Sequence, residues 1–292
     1  MMINFWLASR PKPGADRDMF DFEWGVIHVA LMLTTPSVMA GFTKYSQHRA
    51  VDDVPDSCFP YGRHEKGWYS IANHVMPDVH ALEAIFGGED YPRRMQPHSF
   101  GDKEFVIELT SVVSDHSFGP GMKPGHGVKV VNFVAPAEGI DRDTFERVGR
   151  GEYSARIAEL AGEGEDLRRY VQNTQLPLDA AMFKGTLFEA GGVQTYSGIE
   201  ELWFPDREAA RRFRERRESD QKCRELESSI IDAGRSFSMT VVERVVWDYT
   251  DPDALPRPAV ETPGSVEAGT LATERNWGQW NTEISAKDGV LA

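Results

Sequence analysis

The chain has 292 residues, of which 40% are hydrophobic and 27% charged, and its net charge is −14. That length gives one large domain or two moderate ones with a sizeable core, and the acidic balance argues against nucleic acid or an anionic membrane as partner. Cys58 and Cys223 stand in no metal-ligand spacing, no stretch approaches the roughly 20 apolar residues of a membrane span, and the opening "MMINFWLASRPKPG" is too short in its apolar run for a signal peptide. A cytoplasmic protein is the expectation.

"INFWLA", from Ile3, reads as a strand that Pro11, Pro13 and Gly14 end before an amphipathic helix begins at Asp16-Arg17-Asp18. Within "FDFEWGVIHVAL" the spacing puts Phe20, Trp24 and His28 at steps of four, on one helix face. "KYSQHR" follows as a strand, with Tyr45, Gln47 and Arg49 pointing one way and Lys44, Ser46 and His48 the other. "YGRHEK" is a loop that brings Arg63 and His64 over the next strand as a lid. In "WYSIANHVM" alternation puts Trp68 and His74 on one face, Tyr69 and Asn73 on the other. "PDVHALEAIF" is a helix capped by Asp78, and "FVIEL" alternates Phe105, Ile107 and Leu109 as a half-buried strand.

After the Gly- and Pro-rich "HSFGPGMKPGHG" the same order returns. "IDRDTFERVGRGEYS" lies over "ADRDMFDFEWGVIHV" at an offset of 125, and "RRYVQN" lies over "TKYSQH" at the same offset. "YSGIEELWFPDREAARRF" matches "WYSIANHVMPDVHALEAIF" at an offset of 128, and "SFSMTVVERVV" corresponds to "EFVIELTSVV". The chain is a duplication. Its units are residues 1–115, a linker at 116–127, a second repeat at 128–249 and an extended arm at 250–292. The basic run "REAARRFRERR" reads as a solvated helix face. Trp277 and Trp280 in the arm lead us to expect that it docks on the body or on a second subunit, as a homodimer contact.

Each repeat reads as strand, helix, strand, strand, helix, strand. The expected fold is α+β: two ferredoxin-like βαββαβ repeats packed sheet to sheet in a barrel-like core, with the ligand pocket between the sheets. "FDFEWGVIH" resembles the Phe-x-x-x-Trp-x-x-x-His helix of EthD-domain proteins, in the dimeric α+β barrel superfamily. "RRYVQN" and "YSGIEELWFPDREA" are similar to that family's second strand and to its third strand with the following helix. The resemblance covers roughly residues 3 to 249. It implies that one chain holds two halves which separate chains supply in single-domain relatives. The wider superfamily includes cofactor-free monooxygenases, polyketide cyclases, muconolactone-type isomerases and haem enzymes, and EthD relatives are associated with catabolism of hydrophobic or ether compounds. The second repeat departs from the pattern, with Gly149 at the Trp24 position and Tyr153 at the His28 position.

All eight histidines fall in the first repeat or the linker, which suggests one reactive half and one scaffold half. His28, beside Phe20 and Trp24, is the leading proton carrier, its neutral form favoured by desolvation. His48 is a second carrier that could pair with it. Tyr45 or Arg49 would stabilise an oxyanion. Trp24, Arg49, Trp68, Tyr69, Asn73, His74 and His64 are the candidate substrate contacts. No compact metal-ligand spacing or nucleotide signature occurs, so neither a metal nor a cofactor is expected. The reading is a cofactor-independent enzyme that moves a proton on a small hydrophobic cyclic or aromatic catabolic intermediate, as a lyase, dehydratase, cyclase or isomerase. A cofactor-free monooxygenase of a phenolic substrate and a non-catalytic ligand-binding accessory protein are the alternatives.

Overall fold

The computed structural model describes residues 1–51, 54, 59–95, 100–122, 126–162, 166–177, 180–189 and 196–250. The Trp277/Trp280 arm, Cys58 and His98 lie outside these residues.

Eight strands carry the fold. They are β1 (Ile3–Ser9), β2 (Lys44–Ala50), β3 (Ser70–Met76), β4 (Val106–Ser117), β5 (Val128–Val134), β6 (Arg169–Gln175), β7 (Gly198–Phe204) and β8 (Phe237–Asp248). All pair antiparallel in one closed ring, β1-β3-β2-β8-β5-β7-β6-β4. This corrects the expectation of two ferredoxin-like repeats packed sheet to sheet. Two facing sheets would leave the edges of β2, β4, β6 and β8 with unpaired N–H and C=O groups. Instead β2 pairs with β8 and β4 with β6, so the two repeats share one continuous sheet. Register shifts at Tyr45/Ser46 and at Val112/Ser114 mark irregularities in these two joining ladders.

The helices lie outside the barrel. In the first repeat α1 (Arg17–Phe22) runs through a π-helical turn, Glu23–His28, into α2 (Val29–Leu33). α3 (Pro36–Gly41), α4 (Val79–Phe86) and α5 (Asp90–Met95) complete that layer. The second repeat has α6 (Arg142–Val148), a π-helical turn at Gly149–Tyr153, then α7 (Ser154–Gly162), α8 (Arg207–Ser219) and α9 (Gln221–Ile230). Asp16, Asp78, Asp141, Asp206 and Asp220 each accept a backbone N–H at a helix start, which satisfies one of the donors the first turn leaves open. Both π-helical turns present a carbonyl to the sheet: Gln47 Nε2 donates to Trp24 O at 2.9 Å, and Gln172 Nε2 to Gly149 O at 3.1 Å. The duplication therefore preserved a helix irregularity together with the glutamine that answers it.

Three apolar layers result. Phe5, Phe20, Trp24, Phe42, Tyr45 and Phe86 fill the space between sheet and helices in the first repeat. Phe145, Tyr153, Ile157, Tyr170, Leu202 and Phe213 do so in the second. Inside the barrel, Trp6, Trp68, Phe133, Tyr196, Phe237 and Met239 plug one end.

The repeats are also locked outside the sheet. Tyr61, on the loop before β3, reaches into the second repeat's helix layer, where its hydroxyl accepts from the buried Arg217 Nη2 at 2.5 Å, as does that of Tyr153. Arg217 Nε donates to Glu227 at 3.0 Å. Tyr61→Phe leaves one acceptor fewer for a buried guanidinium, and we expect a loss of about 1–3 kcal/mol in unfolding free energy by urea titration.

Candidate active site in the barrel lumen

Alternation along each strand sends every second side chain into the lumen. At the end opposite the aromatic plug charged and polar residues, with Val75, Val112 and Val171 among them, line a cavity of about 450 Å³. Lys129 forms its floor, buried and 2% exposed. Its ammonium donates to Glu201 Oε2 at 2.6 Å, Glu243 Oε1 at 3.0 Å and His48 Nε2 at 2.9 Å. These three bonds use all its protons. The Trp203 ring lies 4.2 Å from Nζ, and the Trp203 indole N–H donates to Glu243 Oε2 at 2.9 Å. Glu201 Oε1 accepts from Asn173 at 2.9 Å.

The protonation states follow from this network. Burial alone would raise the Glu243 carboxyl, but the Lys129 charge and the His48 contact outweigh it and hold the group well below the ordinary carboxylate range. Burial, then the Lys129 charge, pushes His48 below its usual value, against the pull of Glu243 and Glu201. His48 is thus neutral. Its Nδ1 lies 3.1 Å from the Ile71 carbonyl, which can only accept, so Nδ1 carries the proton and Nε2 presents its lone pair to Lys129.

Two other polar atoms on the wall have no partner among the described residues. Ser46 and Asn73 face each other across β2 and β3, both buried, and neither Ser46 Oγ nor Asn73 Oδ1 makes a hydrogen bond. Both line the cavity. Buried polar atoms of this kind are costly unless something in the cavity satisfies them.

The site breaks the symmetry of the duplication. Applying the offsets of the two repeats, Lys129 takes the place of Asn4, His48 that of Asn173, and Glu201 that of Asn73. Trp203 takes the place of Val75, and by ladder position Glu243 takes that of Val112. One wall carries the charges and the other amides and aliphatic groups.

The residues singled out from sequence divide into separate environments. His48 and Asn73 line the lumen. Tyr45, Arg49, Tyr69, His74 and Trp24 lie on the helix side of the same sheet. There the Tyr45 ring stacks on His74 at 4.7 Å and 8°, and burial raises its phenol. Arg49 and Tyr69 both bond Asp21 Oδ2, at 2.8 and 2.9 Å. Trp24 is buried against Phe20. His28 is half-buried on the helix layer, its ring 5.3 Å from that of Phe100. The expected His28–His48 pair does not form, because the sheet separates them.

The strand reading of "WYSIANHVM" is also corrected. His74 shares the helix side with Tyr69, whereas Trp68 joins the lumen plug and Asn73 the lumen cavity. β3 begins at Ser70, so regular alternation does not extend back to Trp68 and Tyr69. His64 packs on Trp68 and Phe237 at the plugged end, away from the cavity. Among the described residues no three His, Cys, Asp or Glu side chains are grouped to hold a metal ion, and no helix is long and apolar enough to cross a membrane.

Lys129, Glu201, Trp203 and Glu243 escaped the sequence reading. The signal was charge inside an apolar strand, Lys129 alone in "VKVVNFV" and Glu243 beside Arg244 in "TVVERVV". They come from the repeat without histidines, so the cluster belongs to neither half alone.

Residues 137–233 match the EthD domain model. The match lies in the second repeat. An anthrone oxidase-like protein superposes with a TM-score of 0.56 at 12% identity, covering 85% of this chain and 94% of that one. A protein from Lactobacillus acidophilus NCFM described as a monooxygenase gives 0.45 at 9% identity, covering 87% and 99%. Chlorite dismutase from Candidatus Nitrospira defluvii gives 0.45 at 8%, covering 92% and 95%. At such identities the first likeness is one of fold. No curated protein matches the sequence.

His74 gives the fold an acid limit. Burial pushes its imidazole from 6.5 down to about 3. Below 6.5 the unfolded chain takes up a proton that the native chain refuses, so stability falls with pH through that window by up to about 1.4 kcal/mol per unit. His48 acts in the same direction. His74→Phe should flatten the loss of unfolding free energy between neutral pH and about pH 4, measured by urea titration at each pH.

Proposed function

We propose that the chain is an enzyme that moves a proton on a small ring-bearing substrate in the barrel lumen. The observation that carries this is the Lys129 ammonium, buried at the floor of an open cavity between two carboxylates and a neutral imidazole. Buried ionisable groups with displaced protonation in a cavity are the usual mark of acid–base chemistry.

The residues have separable roles. His48 Nε2 takes a proton from an acidic C–H or O–H of the substrate once Lys129 turns from it toward the developing anion. The imidazolium so formed is held by Glu243 Oε1, already 3.1 Å from Nε2. Lys129 stabilises the substrate oxyanion, and Glu201 keeps the ammonium in place. Ser46 and Asn73 supply unspent hydrogen-bonding capacity for the substrate's polar group. Met1, Met2, Val75, Val112 and Val171 give the cavity an apolar rim suited to a hydrocarbon ring. The return of the proton from His48 to another atom of the same molecule is isomerisation, and its return to a leaving group is elimination.

The test is turnover of a panel of phenols and cyclic ketones, run in air and without oxygen and read by mass spectrometry. His48→Gln should lower kcat by about 100-fold or more, and Val112→Trp, at the exposed rim, should block turnover without disturbing the core. His28→Gln should leave kcat unchanged. Loss of activity in His28→Gln with His48→Gln active would move the chemistry to the helix side of the sheet. Product that forms only in air would make the reaction an oxygenation of the substrate anion.

A further inference from the structure

Beside the lumen cavity lies a second hollow with different chemistry. It encloses about 260 Å³ and shares Lys44, Lys129, Arg169, Trp203 and Glu243 with the lumen chamber. Its outer wall is formed by Arg168 together with Ser117, Met122 and His126. Four permanent cations line it, Lys44, Lys129, Arg168 and Arg169, against one carboxylate, Glu243. In a chain of net charge −14 that is a marked local reversal.

Three of these cations are already matched. Lys44 pairs with Asp248 at 2.9 Å, Arg169 holds Asp115 through two bonds of 2.9 and 2.7 Å, and Lys129 sits between Glu201 and Glu243. Arg168 differs. Its guanidinium makes no ion pair or side-chain hydrogen bond among the described residues, although it is half-buried.

Its backbone is nonetheless fixed. The Arg168 backbone donates to Trp203 O and accepts from Phe118 N, both at 2.8 Å. Its Nη1 lies 3.0 Å from where a Cβ on Gly119 would stand, and Gly119 has φ +61°. That positive φ favours glycine, and any β-carbon there would crowd the end of the Arg168 side chain. A half-buried guanidinium on a fixed backbone, without a side-chain partner among the described residues and in a cation-lined hollow, suits a bidentate anion.

We propose that this hollow is an anion subsite, in which Arg168, flanked by Lys44 and Arg169, binds the carboxylate or phosphate of a substrate whose ring lies in the lumen chamber beside His48. This rests on the reading of the lumen as the active site, and it narrows the substrate class to small ring compounds bearing an acidic group.

Binding, rather than turnover, tests it. Benzoate, phenyl phosphate and phenol are titrated into the full-length protein, with the Trp203 indole N–H signal followed by NMR. The two anions should bind more tightly than phenol, shift the Trp203 signal and weaken as salt is added, and whichever binds tighter identifies the acidic group. Arg168→Gln should weaken the better anion about tenfold and leave phenol unchanged, because a charge-assisted bond is lost from the anion alone. Arg168→Lys, which keeps the charge without the fork, should fall between. Anions binding no more tightly than phenol, an affinity indifferent to Arg168→Gln, or binding that leaves Trp203 unmoved would each overturn the proposal. His48→Gln should still bind the anion, so failure of the proton-transfer reading is distinguishable from failure of this one.

Discussion

Everything in this molecule depends on the closure of one hydrogen-bonded ring. Each repeat contributes four strands whose outer edges, β2 and β4 in the first and β6 and β8 in the second, cannot be left bare. The β2–β8 and β4–β6 ladders satisfy them and make the two repeats one sheet. Closure also creates an inside. Residues that would face solvent on an open sheet are turned toward one another across a lumen that, with eight strands, side chains can just fill or that can hold one small ligand.

The two ends of that lumen are filled in different ways. At one end Trp6, Trp68, Phe133 and Phe237 pack into a plug, and Phe133 and Phe237 stack at 4.5 Å. At the other end charge takes the place of rings. A lysine 2% exposed would be costly alone. Here Glu201, Glu243, His48 and the Trp203 face together compensate its desolvation, and each is held by a further bond of its own. Loss of any one member would leave another buried group without its match, which ties the site's geometry to the stability of the barrel end.

Duplication explains how such an asymmetric site arises in a symmetric frame. The cavity lies where the repeats meet, so corresponding positions of both repeats line it. Lys129 faces the lumen on β5 as Asn4 does on β1, and Glu201 on β7 as Asn73 does on β3. In separate identical chains a change at one position would appear on both walls. A fused chain frees each wall to diverge, and a lysine on one side can be matched by carboxylates without placing a second lysine opposite. On the helix side the same freedom put Gly149 where Trp24 stands, and there Ile230 Cδ1 lies 3.8 Å from where a Cβ on Gly149 would be.

The strand order along the chain, the aspartate-capped helices and the duplication were all present in the sequence, because they rest on periodicity, local capping and self-similarity, each of which operates within a few residues. His48 and Asn73 were visible as polar residues on strands. Their shared wall was not, since alternation separates two faces without saying which is inside, and the irregular start of β3 reversed the partners of Trp68 and His74. Lys129 is an isolated charge in an apolar strand, Glu201 and Glu243 each stand beside another charge, Glu200 and Arg244, and only closure of the ring makes the three neighbours. The sequence by itself determined the eight strands, the helices that follow the first and third strand of each repeat, and that this pattern occurs twice, while the helices α3, α5 and α9 were not legible in it. The tertiary structure alone decided that the two sets close into one barrel, because edge pairing between distant strands is a long-range hydrogen-bonding constraint that no local pattern encodes.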